Sequence, residues 1–177
     1  MKANNINIIP TDAKKITKPK LIEHKCFGCS EINPHGLNLD FYYHDNKIYS
    51  TFIPSKYHAG WGHVLHGGLS ATLCDESLGW LSMCINKSIA VTKELTFQYL
   101  KPISIDDTLT IVSSIEKDHE RYFFGNCTIF NSKNQICVKA KGTMVKITEK
   151  LANKLNIMSN TDIKYFSSFI NSIEIIA

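Results

Sequence analysis

The chain has 177 residues, 44% of them apolar, which is enough for one domain with a real core and too few to expect two. Its formal net charge of +4 comes from 20 lysines and arginines spread along the chain, which argues against nucleic acid and suits a smaller polyanion such as a nucleotide-bearing molecule. Nowhere do about 18 apolar residues follow one another as a membrane span requires, and "MKANNINIIPTDAKK" has no apolar run long enough for a signal peptide, so a soluble, cytoplasmic protein is expected.

Residues 1–22 are rich in Asn and Lys, contain Pro10 and Pro19 and show no periodicity; they are expected to form a mobile or loosely docked arm. The folded domain is expected over 23–148. It opens on "HKCFGCSEINPH", a C-x-x-C at Cys26 and Cys29 flanked by His24 and His35. Four such ligands could hold a tetrahedral zinc. With no second C-x-x-C and irregular histidine spacing, the expectation is a turn with two incidental thiols and no metal. The other four cysteines, Cys74, Cys84, Cys127 and Cys137, sit in apolar periodic segments and are expected as reduced core residues.

After the turn signal "NPHG", the runs "LNLDFYY" and "KIYSTFI" are rich in β-branched and aromatic residues and are separated by "HDN", which predicts a hairpin. From Gly67 to Asn86 the period becomes helical, with Leu69, Leu73, Leu78, Leu81 and Ile85 near helical spacing and Ala71, Cys74, Trp80, Met83 and Cys84 on other faces. Such a helix is apolar nearly all round and is expected to be buried. Four further strands follow, "IAVTKELTFQYL", "TLTIVSSIEK", "RYFFGNCTIF" and "QICVKAKGTMVKI", with short polar connections that imply antiparallel neighbours. The predicted fold class is α+β: an antiparallel sheet of about six strands wrapped around one long buried helix. Residues 149–177 form a helical extension, with Ile163, Phe166, Phe169, Ile170 and Ile173 on one stripe and Thr161 as its cap. The chain contains no internal repeat.

The chemistry concentrates in "HGGLSATLCDE", residues 66–76. Two glycines at a helix start expose backbone N–H groups at the positive end of the helix dipole, with no side chain in the way. Such an end can hold an oxyanion. Asp75 and Glu76 stand in an otherwise small and apolar run, where an acid must be paired or serve a purpose. Both could lie along a polar edge, capping or pairing with lysines; alternatively, one of them acts as a general base. Asp75 is eight residues from Gly67, about 12 Å of helical rise, too far for both to serve one carbonyl carbon. Two chains paired about a two-fold axis with antiparallel helices would close the gap and create two identical sites.

His66, Gly67, Gly68 and Asp75, in the order strand, strand, helix and four strands, resemble the hotdog-fold acyl-CoA thioesterases of the phenylacetate-pathway (PaaI-like) type. The likeness runs from about Cys26 to Ile147 and includes "VTKELTFQYLKPI" after the helix. It implies hydrolysis of a thioester between an acyl group and coenzyme A by a homodimer, in many members a dimer of dimers, with no metal or redox cofactor. By that likeness the Gly67 amide holds the thioester oxygen, with Gly68 beside it in the substrate-binding turn, and His66 shapes the pocket. Asp75 activates water or attacks directly, and Thr92 steadies the water, while Glu76 is a neighbour. Several members carry an amide side chain six residues before the histidine as a second donor; here that position is Gly60, leaving His58, His63 or backbone to replace it. Lys101 and Arg121, the only arginine, are candidates for the coenzyme A phosphates, and Trp61 for the acyl end of the pocket.

Three other readings use the same residues. Ser70 in "GLSAT" lacks the second glycine of the G-x-S-x-G turn and the surrounding parallel-sheet pattern of a serine hydrolase. A hotdog hydratase or dehydratase would share the architecture but release no coenzyme A. A non-catalytic acyl-CoA sensor would bind without turnover, and residues 1–22 are too few for a helix-turn-helix output module.

Overall fold

The computed structural model describes residues 8–18, 25–157 and 159–173. Seven strands form one antiparallel sheet in the order β1-β2-β3-β5-β6-β7-β4. They are β1 (Lys14–Lys15), β2 (Phe41–His44), β3 (Lys47–Phe52), β4 (Ile89–Tyr99), β5 (Leu109–Asp118), β6 (Tyr122–Phe130) and β7 (Ile136–Ile147). The β2–β3 hairpin closes on Asp45 and Asn46, both at positive φ, the geometry whose twist matches that of the flanking strands. The seventh strand, absent from the expected six, comes from the segment read as an arm. Residues 14 and 15 pair with β2, Ile16 is buried, and Lys15 and Lys18 both reach Asp40. This stretch of the arm is therefore an edge of the sheet; residues 1–7 and 19–24, including His24, lie outside the described residues.

The helix α1 (Gly67–Leu81) lies across β3 to β7, with Ser70, Leu73, Cys74, Ser77, Leu78 and Leu81 turned to the sheet. Their spacing of three and four residues is the stripe a sheet-packed helix needs. Leu78 seats in a notch made by two glycines paired across β6 and β7, Gly125 and Gly142; a Cβ there would come within 2.5 and 3.0 Å of the Leu78 methyls. The buried Ser77 and Ser113 hydroxyls satisfy one another at 2.8 Å, and Ser113 also donates to the Ser77 carbonyl. The four core cysteines are fully packed, as expected of small apolar side chains.

The structure corrects the expectation of a helix buried all round. Gly68, Thr72, Asp75 and Gly79 form a strip that is only partly covered. The α-helical ladder also stops at Leu81, and Ser82–Asn86 continue as a π-helical turn that Lys87 closes in the left-handed conformation. The extension holds two helices where one was expected: α2 (Glu149–Leu155), capped by Thr148, and α3 (Asn160–Ser172). The cap of α3 is Ser159, which accepts from the Asp162 amide, and Thr161 lies inside the helix. Phe169 of α3 meets Trp80 edge-on, and Trp80 stacks on Phe41 at 4.6 Å. No helix among the described residues is long and apolar enough to cross a membrane.

Candidate active site

The start of α1 is held by the loop before it. Leu65 donates to the Ile103 carbonyl, and His66 to the His58 carbonyl, so the turn arrives at a fixed place. His66 is the N-cap: its Nδ1 accepts from the Gly68 amide at 3.0 Å, which leaves the proton of the neutral ring on Nε2. The Leu69 and Ser70 amides bond to the His66 carbonyl. Of the first-turn amides, Gly67 N–H alone has no hydrogen-bond partner among the described residues. A methyl group at Gly67 would meet only the Tyr99 ring, at ordinary contact of 3.5 Å, so this chain's own packing does not demand glycine there. At Gly68 a Cβ would press on His66 Nδ1 at 3.0 Å, so that glycine admits the cap.

Asp75, two helical turns on, accepts a hydrogen bond from the Thr92 hydroxyl of β4. A bulge makes that contact. The β4–β7 register shifts between Thr92 and Glu94, leaving Lys93 as the extra residue, and Thr92 thereby shares the α1-facing side with Leu95, Phe97 and Tyr99. Strict alternation from Tyr99 would have turned Thr92 away. Asp75 opens on a cleft of about 220 Å³ lined by apolar side chains, among them Trp80, Met83, Ile89, Met144 and Phe166. At the other end of β4, the Tyr99 hydroxyl donates to the Gly67 carbonyl at 3.0 Å. Sequence reasoning missed Tyr99, Met144 and Phe166. The parity of Tyr99 with Leu95 and Phe97 was readable, but the bulge that adds Thr92 to the row was not.

Asp75 and Gly67 are thus anchored at opposite ends of one strand and do not meet within the chain. The other expected residues distribute likewise. Lys101 is exposed just beyond Tyr99, at the Gly67 end, while exposed Arg121 backs Lys146, which pairs with Ala90 near the Asp75 end. Trp61 is 90% exposed in the loop before α1. Gly60 lies under His66, and a Cβ there would be 3.2 Å from the His66 Cα, so the turn leaves little room for a side chain at this position. His58 does not replace the missing donor with Nδ1, which accepts from the Ser55 amide at 2.9 Å; His63 is exposed and uses its carbonyl to hold Ile105.

Glu76 pairs with no lysine among the described residues. Its carboxylate accepts from Trp80 Nε1 at 3.2 Å and from Cys26 Sγ at 3.4 and 3.5 Å. Asp75 and Glu76, about 100° apart on α1, both border the cleft but have different partners, Thr92 for one and Cys26 and Trp80 for the other.

Residues 62–138 match the family described as the thioesterase superfamily. Mouse acyl-coenzyme A thioesterase THEM4 is 30% identical over 98 residues, which is 53% of this chain and 42% of that one; the chain thus spans less than half the length of this relative. Among solved structures, the Escherichia coli PaaI protein of the phenylacetic acid degradation operon superposes with a TM-score of 0.59 at 18% identity, over 63% of this chain and 81% of that chain. A Streptococcus mutans protein bound to acetyl CoA superposes with a TM-score of 0.60 at 26% identity, over 72% and 96% of the two chains. The expected wrapped-sheet architecture is that of these neighbours.

Proposed function

We propose, from the match of residues 62–138 to the thioesterase superfamily, that the chain hydrolyses acyl-CoA thioesters to the free acid and coenzyme A as a homodimer. The observation that carries this reading is the pair of half-sites two turns apart on α1: a Gly67 N–H without a partner among the described residues, and an Asp75 carboxylate held by Thr92. Among the described residues β4 is the terminal strand of the sheet, 11 residues long, with Tyr99 at its end and Leu100 just beyond it more than half exposed. A long edge of this kind is a template for pairing with a second chain. Antiparallel pairing of β4 with its copy about a two-fold axis near Leu95 and Thr96 sets Thr92 opposite the partner's Tyr99. That arrangement carries Asp75 to the partner's Gly67 and brings Arg121 to the end that holds the partner's Lys101, where both can meet coenzyme A phosphates. The strip of Gly68, Thr72, Asp75 and Gly79 leaves the paired helices room to approach.

In the closed site the thioester oxygen accepts from Gly67 N–H, polarising the carbonyl carbon. Thr92 holds Asp75 Oδ1 and leaves Oδ2 for a water molecule. Asp75 takes a proton from that water as its oxygen attacks, the C–S bond breaks, and the proton passes to the departing thiolate. A direct attack by Asp75, giving an anhydride that water then opens, uses the same geometry. His66 fixes the turn by capping Gly68, and the apolar cleft beside Asp75, with Phe166 of α3 on its rim, receives the acyl chain. The reaction draws on no cofactor beyond the coenzyme A of the substrate. The packed thiols of the core fit a reducing, cytoplasmic setting.

The test is thiol release over short, medium, long and aromatic acyl-CoAs by wild type and Asp75→Asn. Asparagine keeps the Oδ1 acceptor for Thr92 and loses the basic oxygen, so turnover should fall at least about a hundredfold with folding unchanged. Enoyl absorbance change without released thiol would make the protein a hydratase; binding across the panel without turnover would make it a sensor. Unchanged turnover in Asp75→Asn would remove the aspartate from the mechanism.

A further inference from the structure

Outside the proposed catalytic groups, the structure gathers three ligating side chains from two distant parts of the chain. Sγ of Cys26, Sγ of Cys29 and a carboxylate oxygen of Glu76 all lie within 4.8 Å of one another, with Cys29 buried and the other two half-buried. The Cys26–Glu76 edge has the length of a coordination-shell edge. Zinc bonds of about 2.3 Å to sulfur and about 2.0–2.2 Å to oxygen, set at the tetrahedral angle, give a sulfur-to-oxygen edge of about 3.5–3.7 Å. The two Cys26-to-Glu76 separations are 3.4 and 3.5 Å.

The surrounding chain is built to bring these groups together. The loop is tied down on both sides: Ser30 donates to the Cys26 carbonyl, Leu37 to the Phe27 carbonyl at 2.7 Å, and Leu39 to the Gly28 carbonyl at 3.0 Å. Gly28 has no positive φ, so its conformation does not call for glycine. Its missing side chain is what admits Glu76, because a Cβ there would stand 2.5 Å from the carboxylate. Three groups that each carry negative charge when deprotonated thus crowd one another, and no ion pair offsets Glu76 among the described residues. A thiophilic dication would relieve this crowding as it displaces the thiol protons to solvent.

We infer that Cys26, Cys29 and Glu76 form a zinc site that staples the 25–30 loop to the turn of α1 next to Asp75. This differs from the set the sequence offered: exposed His35 is not in the cluster, and Glu76 takes a ligand's place.

The test reads metal content and needs no thioester turnover, so it stands apart from the proposed hydrolysis. Full-length protein without a histidine tag, kept reduced with a non-thiol reductant, is dialysed against zinc and then against buffer. About one zinc per chain should remain, and cobalt in its place should show thiolate charge-transfer absorption with the intense visible bands of a tetrahedral site. Cys26→Ser, Cys29→Ser and Glu76→Gln should each weaken zinc binding at least about tenfold. Glu76→Gln should also move the visible cobalt bands while retaining the charge transfer, and His35→Ala should change neither. Gly28→Ala, which leaves both thiols in place and displaces the carboxylate, should weaken binding as Glu76→Gln does, even if the cysteine variants fail to fold. Wild-type protein that holds no stoichiometric zinc and gives no thiolate charge transfer overturns the site and reduces the contact to a thiol–carboxylate hydrogen bond.

Discussion

If each site takes its oxyanion donor from one protomer and its base from the other, two inactivating substitutions on different chains must rescue one another. The donor can be removed without harming the helix. Gly67 is the first residue of α1, the position where proline is best tolerated, and His66 before it has the extended ψ of 129° that a following proline prefers. Gly67→Pro deletes an N–H that bonds nothing among the described residues and should cost about a hundred- to a thousandfold in turnover, about 2.7–4 kcal/mol of transition-state stabilisation. Asp75→Asn should cost at least about a hundredfold on its own. In a mixed dimer, one site joins the intact Gly67 of the Asp75→Asn chain to the intact Asp75 of the Gly67→Pro chain, while the other site carries both lesions. Dimers with two different affinity tags, purified in sequence after coexpression, should therefore release thiol at about half the wild-type rate with an unchanged KM. A mixed dimer as inactive as its two parents would refute shared sites and with them the pairing of β4 across a two-fold axis.

Three further outcomes follow from the packing. Gly125→Ala puts a methyl 2.5 Å from a Leu78 methyl that is fully buried, and should destabilise the protein by about 1–3 kcal/mol in denaturant titration; an unchanged midpoint would mean the notch is looser than described. Ser159→Ala should cost about 0.5–2 kcal/mol and expose Trp80 to quenchers as α3 loosens, whereas Thr161→Ala should do neither; the reverse order would return the cap to Thr161. Partial burial pushes the Asp40 carboxyl up, but hydrogen bonds from Lys15 and Lys18 outweigh it and hold it below its ordinary 3.8. Because the folded value is the lower one, the docking of β1 is stabilised at pH above the ordinary value and weakens as pH falls through the lowered one. The Ile16 amide, bonded to the Phe41 carbonyl at 2.8 Å, should show that release in an NMR titration, and should show it already at neutral pH in Asp40→Asn. An Ile16 signal indifferent to both would detach Asp40 from the docking.

Much of the molecule is written in local pattern. The helical stripe from Ser70 to Leu81, the alternation in β5 to β7 and the paired left-handed residues of the first hairpin depend on periods of three to four, on periods of two and on turn chemistry within a few residues. The Gly67-Gly68 start of α1, with its open amides, was legible for the same reason, while the capping by His66 was seen only in the fold. What escaped was decided at a distance. The family likeness named Thr92 beside Asp75, but not the Lys93 bulge that turns it there, a parity the sheet sets through the pairing of β4 with β7. Glu76 reads as a spare acid until the fold lays Cys26, 50 residues earlier, against it, with Gly28 leaving the space. Lys14 and Lys15 read as a tail until β2 offers them an edge. Local energetics chose the elements, while strand parity and side-chain contact between remote segments, which depend on three-dimensional packing, chose which residues face one another.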